Sequence, residues 1–360
     1  MVLQVSDTSN NHRSSNRSLP SKGEIWLLLD SFTFGGIETH VVELAHGLIQ
    51  FEQPVRVVLL TQFDTPSAII DKLTQAKIPY SYLYQLAQAN PSRQFLELMK
   101  QCFNACQQWQ PKVLHAHGYK ANLISKLCSG STRQVATFHS GETPTGAVRL
   151  YDWLDRYSAC LSSHNFTVSP QIADKIPYRT QTLNNFVNTQ NLKPSAGKRI
   201  AFVGRLSHEK GPDTFIEIAQ ALPEHHFYLY GDGYMMDELK SVTPNNVTFE
   251  GFQADMTKVW PQIGLLLITS RYEGLPMTAL EAMAREIPVI SFAVGAVESL
   301  IQHEHNGWIA RNQDDIIHYI EQWHSIEQHC RLTLTSNAAK TITEHYSTQS
   351  VIPQLIESYQ

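Results

Sequence analysis

The chain has 360 residues, 42% of them hydrophobic and 17% charged, with a net charge of −5. That length exceeds what one core comfortably serves and favours two domains. The acidic balance gives nucleic acid no general attraction, and no run of ~18 apolar residues is present to span a membrane. Five cysteines, an odd number without C-x-x-C, argue against a disulfide framework. The 16 histidines show no H-E-x-x-H or comparable ligand spacing, so no metal is expected.

Residues 1–22 are polar and lack an apolar signal-peptide core, which reads as a disordered tail on a cytoplasmic protein. From Glu24 onward, short apolar runs alternate with amphipathic segments. I-W-L-L-L, V-R-V-V-L-L, V-L-H-A-H and V-A-T-F-H are strand-like. The polar Pro/Gly stretch 188–198 reads as a linker, after which the alternation restarts with R-I-A-F-V, F-Y-L-Y, V-T-F, L-L-L-I and P-V-I-S-F. Strand–helix alternation with nearly continuous apolar strands means parallel sheets covered on both faces. The expected fold class is α/β, with two Rossmann-like domains facing a cleft, over 23–190 and 198–340. Residues 1–190 hold 16 Lys and Arg against 13 Asp and Glu, whereas the remainder hold 12 against 20. A mildly basic half therefore precedes an acidic one.

Ligands of such sheets bind beyond the carboxyl ends of the strands, so the strand-to-helix turns carry the chemistry. Gly35-Gly36 precede a helix and let backbone N–H groups approach an anion, though a tight turn also accounts for them. In V-G-R-L-S-H-E-K-G-P, Arg205 and Lys210 flank a turn after a strand, two cations at a helix start that suit a diphosphate. The bland reading is two exposed basic side chains, with Lys210 paired to Glu209. Gly231 and Gly233 mark a third turn, and Gly295 another. In S-R-Y-E-G-L-P-M-T-A-L-E-A-M-A, Pro276 opens a helix that holds Glu281, while Glu273 stays in the loop. Thr278, Glu281 and Arg285 form the single polar stripe, and a Glu281–Arg285 pair is the bland alternative to a ligand role. Five residues of helix rise place Glu281 about 7.5 Å from Pro276.

G-R-L-S-H-E-K-G, G-D-G and E-G-L-P-M-T-A-L-E-A-M-A, in this order, resemble the family 4 (group 1) glycosyltransferases of GT-B fold. The resemblance implies retaining, metal-independent transfer of a sugar from a nucleotide-diphosphate sugar, with no cofactor beyond that co-substrate. It implies that Arg205 and Lys210 hold the diphosphate, with Gly35 and Gly36 approaching it. Glu273 would act at the transferred sugar with the Gly274 and Leu275 N–H groups, Glu281 would hold the ribose, and His139 would lie beside the sugar. The closing segment 341–360 resembles the family's helix that packs back on the N-terminal domain. Ala296 and Tyr234 depart from common family residues. No D-x-D occurs, in keeping with metal independence. His115 and His117 end a strand and are candidates for acceptor contact or for satisfied strand-end histidines. The acceptor is unidentified: a saccharide, a lipid-linked glycan or a small molecule. Arg149 and Arg156 among Tyr151, Trp153 and Tyr157 suggest weak peripheral contact with the inner membrane face, although inward packing is the expectation for these aromatics. The alternatives are a sugar-nucleotide epimerase of this fold and a non-catalytic sugar-nucleotide-binding protein.

Overall fold

A computed structural model describes residues 19–32, 35–139, 147–168 and 170–360. The expected tail lies largely outside the described residues. The chain divides into two compact units. Unit 1 comprises Met1–Thr167, Lys175–Gln181 and Ile356–Gln360, and unit 2 comprises Val168–Asp174 and Thr182–Leu355.

The sheet of unit 1 contains β1 (Ile25–Leu29), β2 (Val55–Leu59), β3 (Tyr80–Tyr82), β4 (Val113–His117), β5 (Arg133–Phe138), β6 (His164–Thr167) and β7 (Gln181–Thr182). Their order is β3-β2-β1-β4-β5-β6-β7. The sheet of unit 2 contains β8 (Arg199–Val203), β9 (Phe227–Tyr230), β10 (Val247–Gly251), β11 (Ile263–Ile268), β12 (Val289–Phe292) and β13 (Trp308–Ala310), ordered β10-β9-β8-β11-β12-β13. The six strands of unit 2 run parallel in the doubly wound Rossmann order. Strand β3, β6, β7 and β13 lie outside the expected runs, because two to four residues are too few to show a period.

Alternation of side chains sends successive residues of each strand to opposite faces. In unit 2, Ile200, Phe202, Leu265 and Leu267 join one buried cluster, while Ala201, Leu266 and Ile268 join the other. In unit 1, Trp26, Leu28, Leu114 and Ala116 pack with Cys102, Cys106 and Cys128 from the covering helices. All five cysteines are free thiols. Cys102 is buried beside Cys106 and Cys128, and these neighbouring thiols together with burial push its own thiol well above its usual pKa.

The changeover between units falls at Thr182, ahead of the 188–198 stretch that reads as a linker. Backbone pairing explains the difference: Val187 N–H donates to the Tyr346 carbonyl, and Thr348 N–H donates to that of Val187. Asn185 Nδ2 also donates to the Leu275 carbonyl at 2.7 Å. Residues 182–190 are thereby tied to unit 2. Of the closing segment, only Ile356–Gln360 belongs to unit 1.

The Ala147–Tyr157 helix reverses the expected packing. Among its described side chains Asp155 is buried, whereas Leu150, Tyr151, Trp153, Leu154 and Tyr157 are exposed. Asp155 accepts from Lys126 at 2.6 Å and from Asn122 at 2.9 Å, both on the Tyr119–Cys128 helix. Burial works against both charges, lowering the Lys126 pKa and raising that of Asp155, and the pair persists because each ion satisfies the other. Asp155→Ala should destabilise unit 1 by about 3–5 kcal/mol in urea unfolding, by leaving the Lys126 ammonium buried and unpaired. Joint replacement with Lys126→Met should recover most of that loss, and an undiminished defect in the double variant would contradict this account.

Candidate active site

In open parallel sheets the carboxyl ends of the strands diverge where the order reverses, leaving a crevice for ligands. In unit 2 this point lies between β8 and β11, and the turns following those two strands contain Arg205, Lys210 and Glu273. Lys210 Nζ donates to both Glu273 oxygens, at 2.7 and 2.9 Å. Ser270 Oγ adds a third bond to the same carboxylate at 2.6 Å. The Glu273 side chain is 8% exposed, so these donors replace most of its water. The bland alternative, a Lys210–Glu209 pair, gives way to this contact; Glu209 instead lies 3.4 Å from the exposed Arg205. A surface-loop carboxylate is likewise ruled out for Glu273.

The loop bearing Glu273 is clamped on two sides. On one, the backbone N–H groups of Arg271 and Tyr272 donate to the Glu209 carbonyl, and Thr269 Oγ1 donates to that of Gly211. Arg271 forms a forked pair with Asp213, at 2.9 and 2.6 Å, and also bonds the His208 carbonyl. The hydrogen bonds from Arg271 hold the Asp213 carboxyl below its usual pKa. On the other side, Ala296 N–H donates to the Gly274 carbonyl at 2.9 Å. Gly295 has φ +59°, and a Cβ there would collide with the carbonyl oxygens of Glu273 and Gly274.

The Gly231–Gly233 turn braces the cationic turn, for Leu206 N–H donates to the Asp232 carbonyl and Met235 N–H to that of Leu206. Tyr234, the departure noted in the sequence, accepts the His208 N–H at 2.8 Å. Glu281 sits in the Met277–Met283 helix with Pro276 as its N-cap, and Trp260 Nε1 donates to its carboxylate at 2.8 Å. Arg285 lies just past the helix and donates to the Glu281 backbone carbonyl at 2.7 Å.

Unit 1 places its own candidates at the carboxyl edge of its sheet. Gly35 caps the Gly36–Gln50 helix, and its N–H donates to Glu38 Oε2 at 2.9 Å, the N3 half of a capping box. His115 is fully buried, with both ring nitrogens engaged at 2.6 Å, one by Tyr359 and one by Thr137. It is therefore a satisfied strand-end histidine and presents nothing to an acceptor. His117 Nδ1 lies 3.0 Å from His139 Nε2, and both rings pack against His40. Burial, reinforced by the neighbouring imidazoles, lowers the pKa of His115, His117 and His139 well below the usual range.

The sequence reading missed Ser270, Arg271, Asp213, Trp260 and His40. Asp213 and Arg271 are far apart in sequence, and neither carries a spacing signal. Ser270 and Arg271 sit inside the S-R-Y-E-G motif, where only the acid attracted notice.

Two family models match the chain: Glycosyltransferase Family 4 over residues 34–180 and Glycosyl transferases group 1 over residues 197–325. An uncharacterized glycosyltransferase of Methanocaldococcus jannaschii is 23% identical, over 90% of this chain and 94% of its own length. The UDP-Gal:alpha-D-GlcNAc-diphosphoundecaprenol alpha-1,3-galactosyltransferase of Escherichia coli is also 23% identical, over 56% of this chain and 63% of its own. Among solved structures, HepE of Anabaena in complex with UDP superposes with a TM-score of 0.78 at 20% identity, covering 93% of this chain and 99% of that one.

Gly295→Ala should cost about 1–3 kcal/mol in thermal unfolding of unit 2, through backbone strain and displacement of the Glu273 carbonyl. Ala296→Gly, which keeps the N–H bond to Gly274, should shift the transition less; equal shifts would remove the proposed clamp. The paired family matches and the two parallel-sheet units together identify the chain as a member of the family 4, group 1 glycosyltransferases of GT-B fold.

Proposed function

We propose that the protein transfers a hexose, with retention at the anomeric carbon and without a catalytic metal, from a nucleoside-diphosphate sugar to a lipid-linked saccharide. The observation that carries this reading is the Lys210–Glu273 pair at the switch point of the unit 2 sheet, with Arg205 on the same turn. The Anabaena neighbour's complex with UDP supports a uridine nucleotide as the first donor to test. The undecaprenol-linked acceptor named for the Escherichia coli relative supports the acceptor class.

The site residues divide the chemistry as follows. As the bond between the sugar carbon and the diphosphate oxygen breaks, negative charge grows on that oxygen. Arg205 and Lys210 stabilise it electrostatically, in a setting where preorganised charge is worth more than in water. The acceptor hydroxyl attacks from the face the diphosphate leaves, and its proton passes to the departing phosphate oxygen. Glu273 accepts from the sugar hydroxyls, with the Gly274 and Leu275 N–H groups beside it. Glu281, oriented by Trp260, accepts from the ribose hydroxyls. Lys210 neutralises Glu273; under this proposal donor binding draws the ammonium toward phosphate and releases the carboxylate for the sugar.

Lys210→Ala and Glu273→Gln should each lower turnover of a UDP-hexose by about 10²-fold or more, with far-UV circular dichroism unchanged. Turnover equal to wild type in either variant would defeat the assignment. Product analysis must show the anomeric configuration of the donor kept in the product.

We further propose that unit 1 meets a membrane surface through the Ala147–Tyr157 helix. No described helix is long and apolar enough to cross a membrane. The exposed Leu150, Trp153, Leu154 and Tyr157, with Arg149 beside them, suit an interface of headgroups and acyl chains. Flotation with phosphatidylglycerol vesicles should carry the protein upward, and Trp153→Ser combined with Leu154→Ser should leave it at the bottom. Absence of wild-type flotation would end this reading.

A further inference from the structure

Three histidines far apart in sequence meet in the interior of unit 1. Strands β4 and β5 are parallel neighbours with His117 opposite Thr137. His139 stands two residues beyond Thr137 and so projects to the same face as His117. The Gly36–Gln50 helix, which follows β1 beside β4, brings His40 onto that face. His40 and His117 are 1% and 2% exposed. One ring nitrogen from each of His40, His117 and His139 lies within 4.8 Å of the other two.

We propose that His40, His117 and His139 form a binding site for a divalent transition-metal ion of the Zn²⁺ class. Zinc–imidazole bonds of 2.0–2.1 Å in tetrahedral array set ligand nitrogens about 3.3 Å apart. His117 Nδ1 and His139 Nε2, at 3.0 Å, approximate that spacing, and one His40 ring nitrogen lies within 4.8 Å of a nitrogen on each of the other two. Imidazole nitrogens without a carboxylate select Zn²⁺, Co²⁺, Ni²⁺ or Cu²⁺ over Mg²⁺ and Ca²⁺, which require oxygen.

One further feature favours a cation here. His115 lies behind the cluster, its ring centroid 4.4 Å from that of His117, and both its nitrogens are committed to Tyr359 and Thr137. That wall limits how far the His117 ring can turn and fixes its approach to the ion. With three protein ligands, one tetrahedral position stays open to water or to another oxygen ligand. The proposal rests on the three histidines of unit 1 and does not depend on the transferase reading.

The test is titration of the full chain, stripped with chelator, with Co²⁺ and then Zn²⁺. We expect one tight ion per chain by calorimetry and visible Co²⁺ bands of four-coordinate nitrogen ligation that Zn²⁺ abolishes. His40→Gln and His117→Gln should each weaken binding by at least ~10-fold, whereas the exposed His318→Gln should not. Lack of Co²⁺ binding, or equal affinity in the His40 and His117 variants, overturns the proposal. Should either variant fail to fold, the wild-type spectrum decides. Thiolate-to-cobalt charge transfer would place the ion on the cysteines and refute the histidine site, and its absence beside the nitrogen bands would uphold it.

Discussion

A carboxylate withdrawn from water must be given donors, and in unit 2 that requirement organises the surroundings of Glu273. Lys210 and Ser270 supply the donors, but both must be held in place, and the backbone does this. The 208–213 turn grips the loop from one side through Thr269, Arg271 and Tyr272, and Ala296 grips it from the other. The glycines at 211 and 295 are sites where any side chain would meet backbone carbonyls of this loop. Rigidity of this kind suits a site that must stabilise charge as it appears, because the dipoles are already oriented when the charge arrives.

Both units place their chemistry at the carboxyl edge of a parallel sheet, for the same reason. Strands buried on both faces are mostly apolar, so the polar side chains that can meet a ligand gather where the chain turns out of the sheet. In unit 1 that edge gathers imidazoles and the Lys120–Asp30 ion pair, 2.6 Å apart; in unit 2 it gathers an ammonium, guanidinium groups and carboxylates. One layer architecture thereby supports two chemically distinct sites.

Much of this was legible in the sequence, because the information was local. Glycine-bearing turns after apolar runs, Pro276 opening a helix and Glu273 left in the loop before it depend on short stretches of chain, and all are found. The pairings of Lys210 with Glu273, Arg271 with Asp213 and Trp260 with Glu281 join segments of different strands, and no spacing rule reaches across such gaps. The three converging histidines were hidden likewise, since sheet register brings them together. The 147–157 helix shows a subtler limit. Its arginines and aromatics stood out in the sequence, but the side that turns inward carries Asp155, paired with Lys126 on another helix, while the aromatics face outward.

The hydrogen bond between Tyr359 and His115 has a consequence for the order of synthesis. Domains ordinarily fold as units, the N-terminal one first, while the ribosome is still working. Unit 1 includes Ile356–Gln360, and Tyr359 is 2% exposed against a histidine at the heart of the first sheet. The nascent first unit must therefore wait, with His115 lacking a partner on one ring nitrogen, until all of the second has been translated. Its final consolidation thus follows the synthesis of the second unit, although most of its own residues come first.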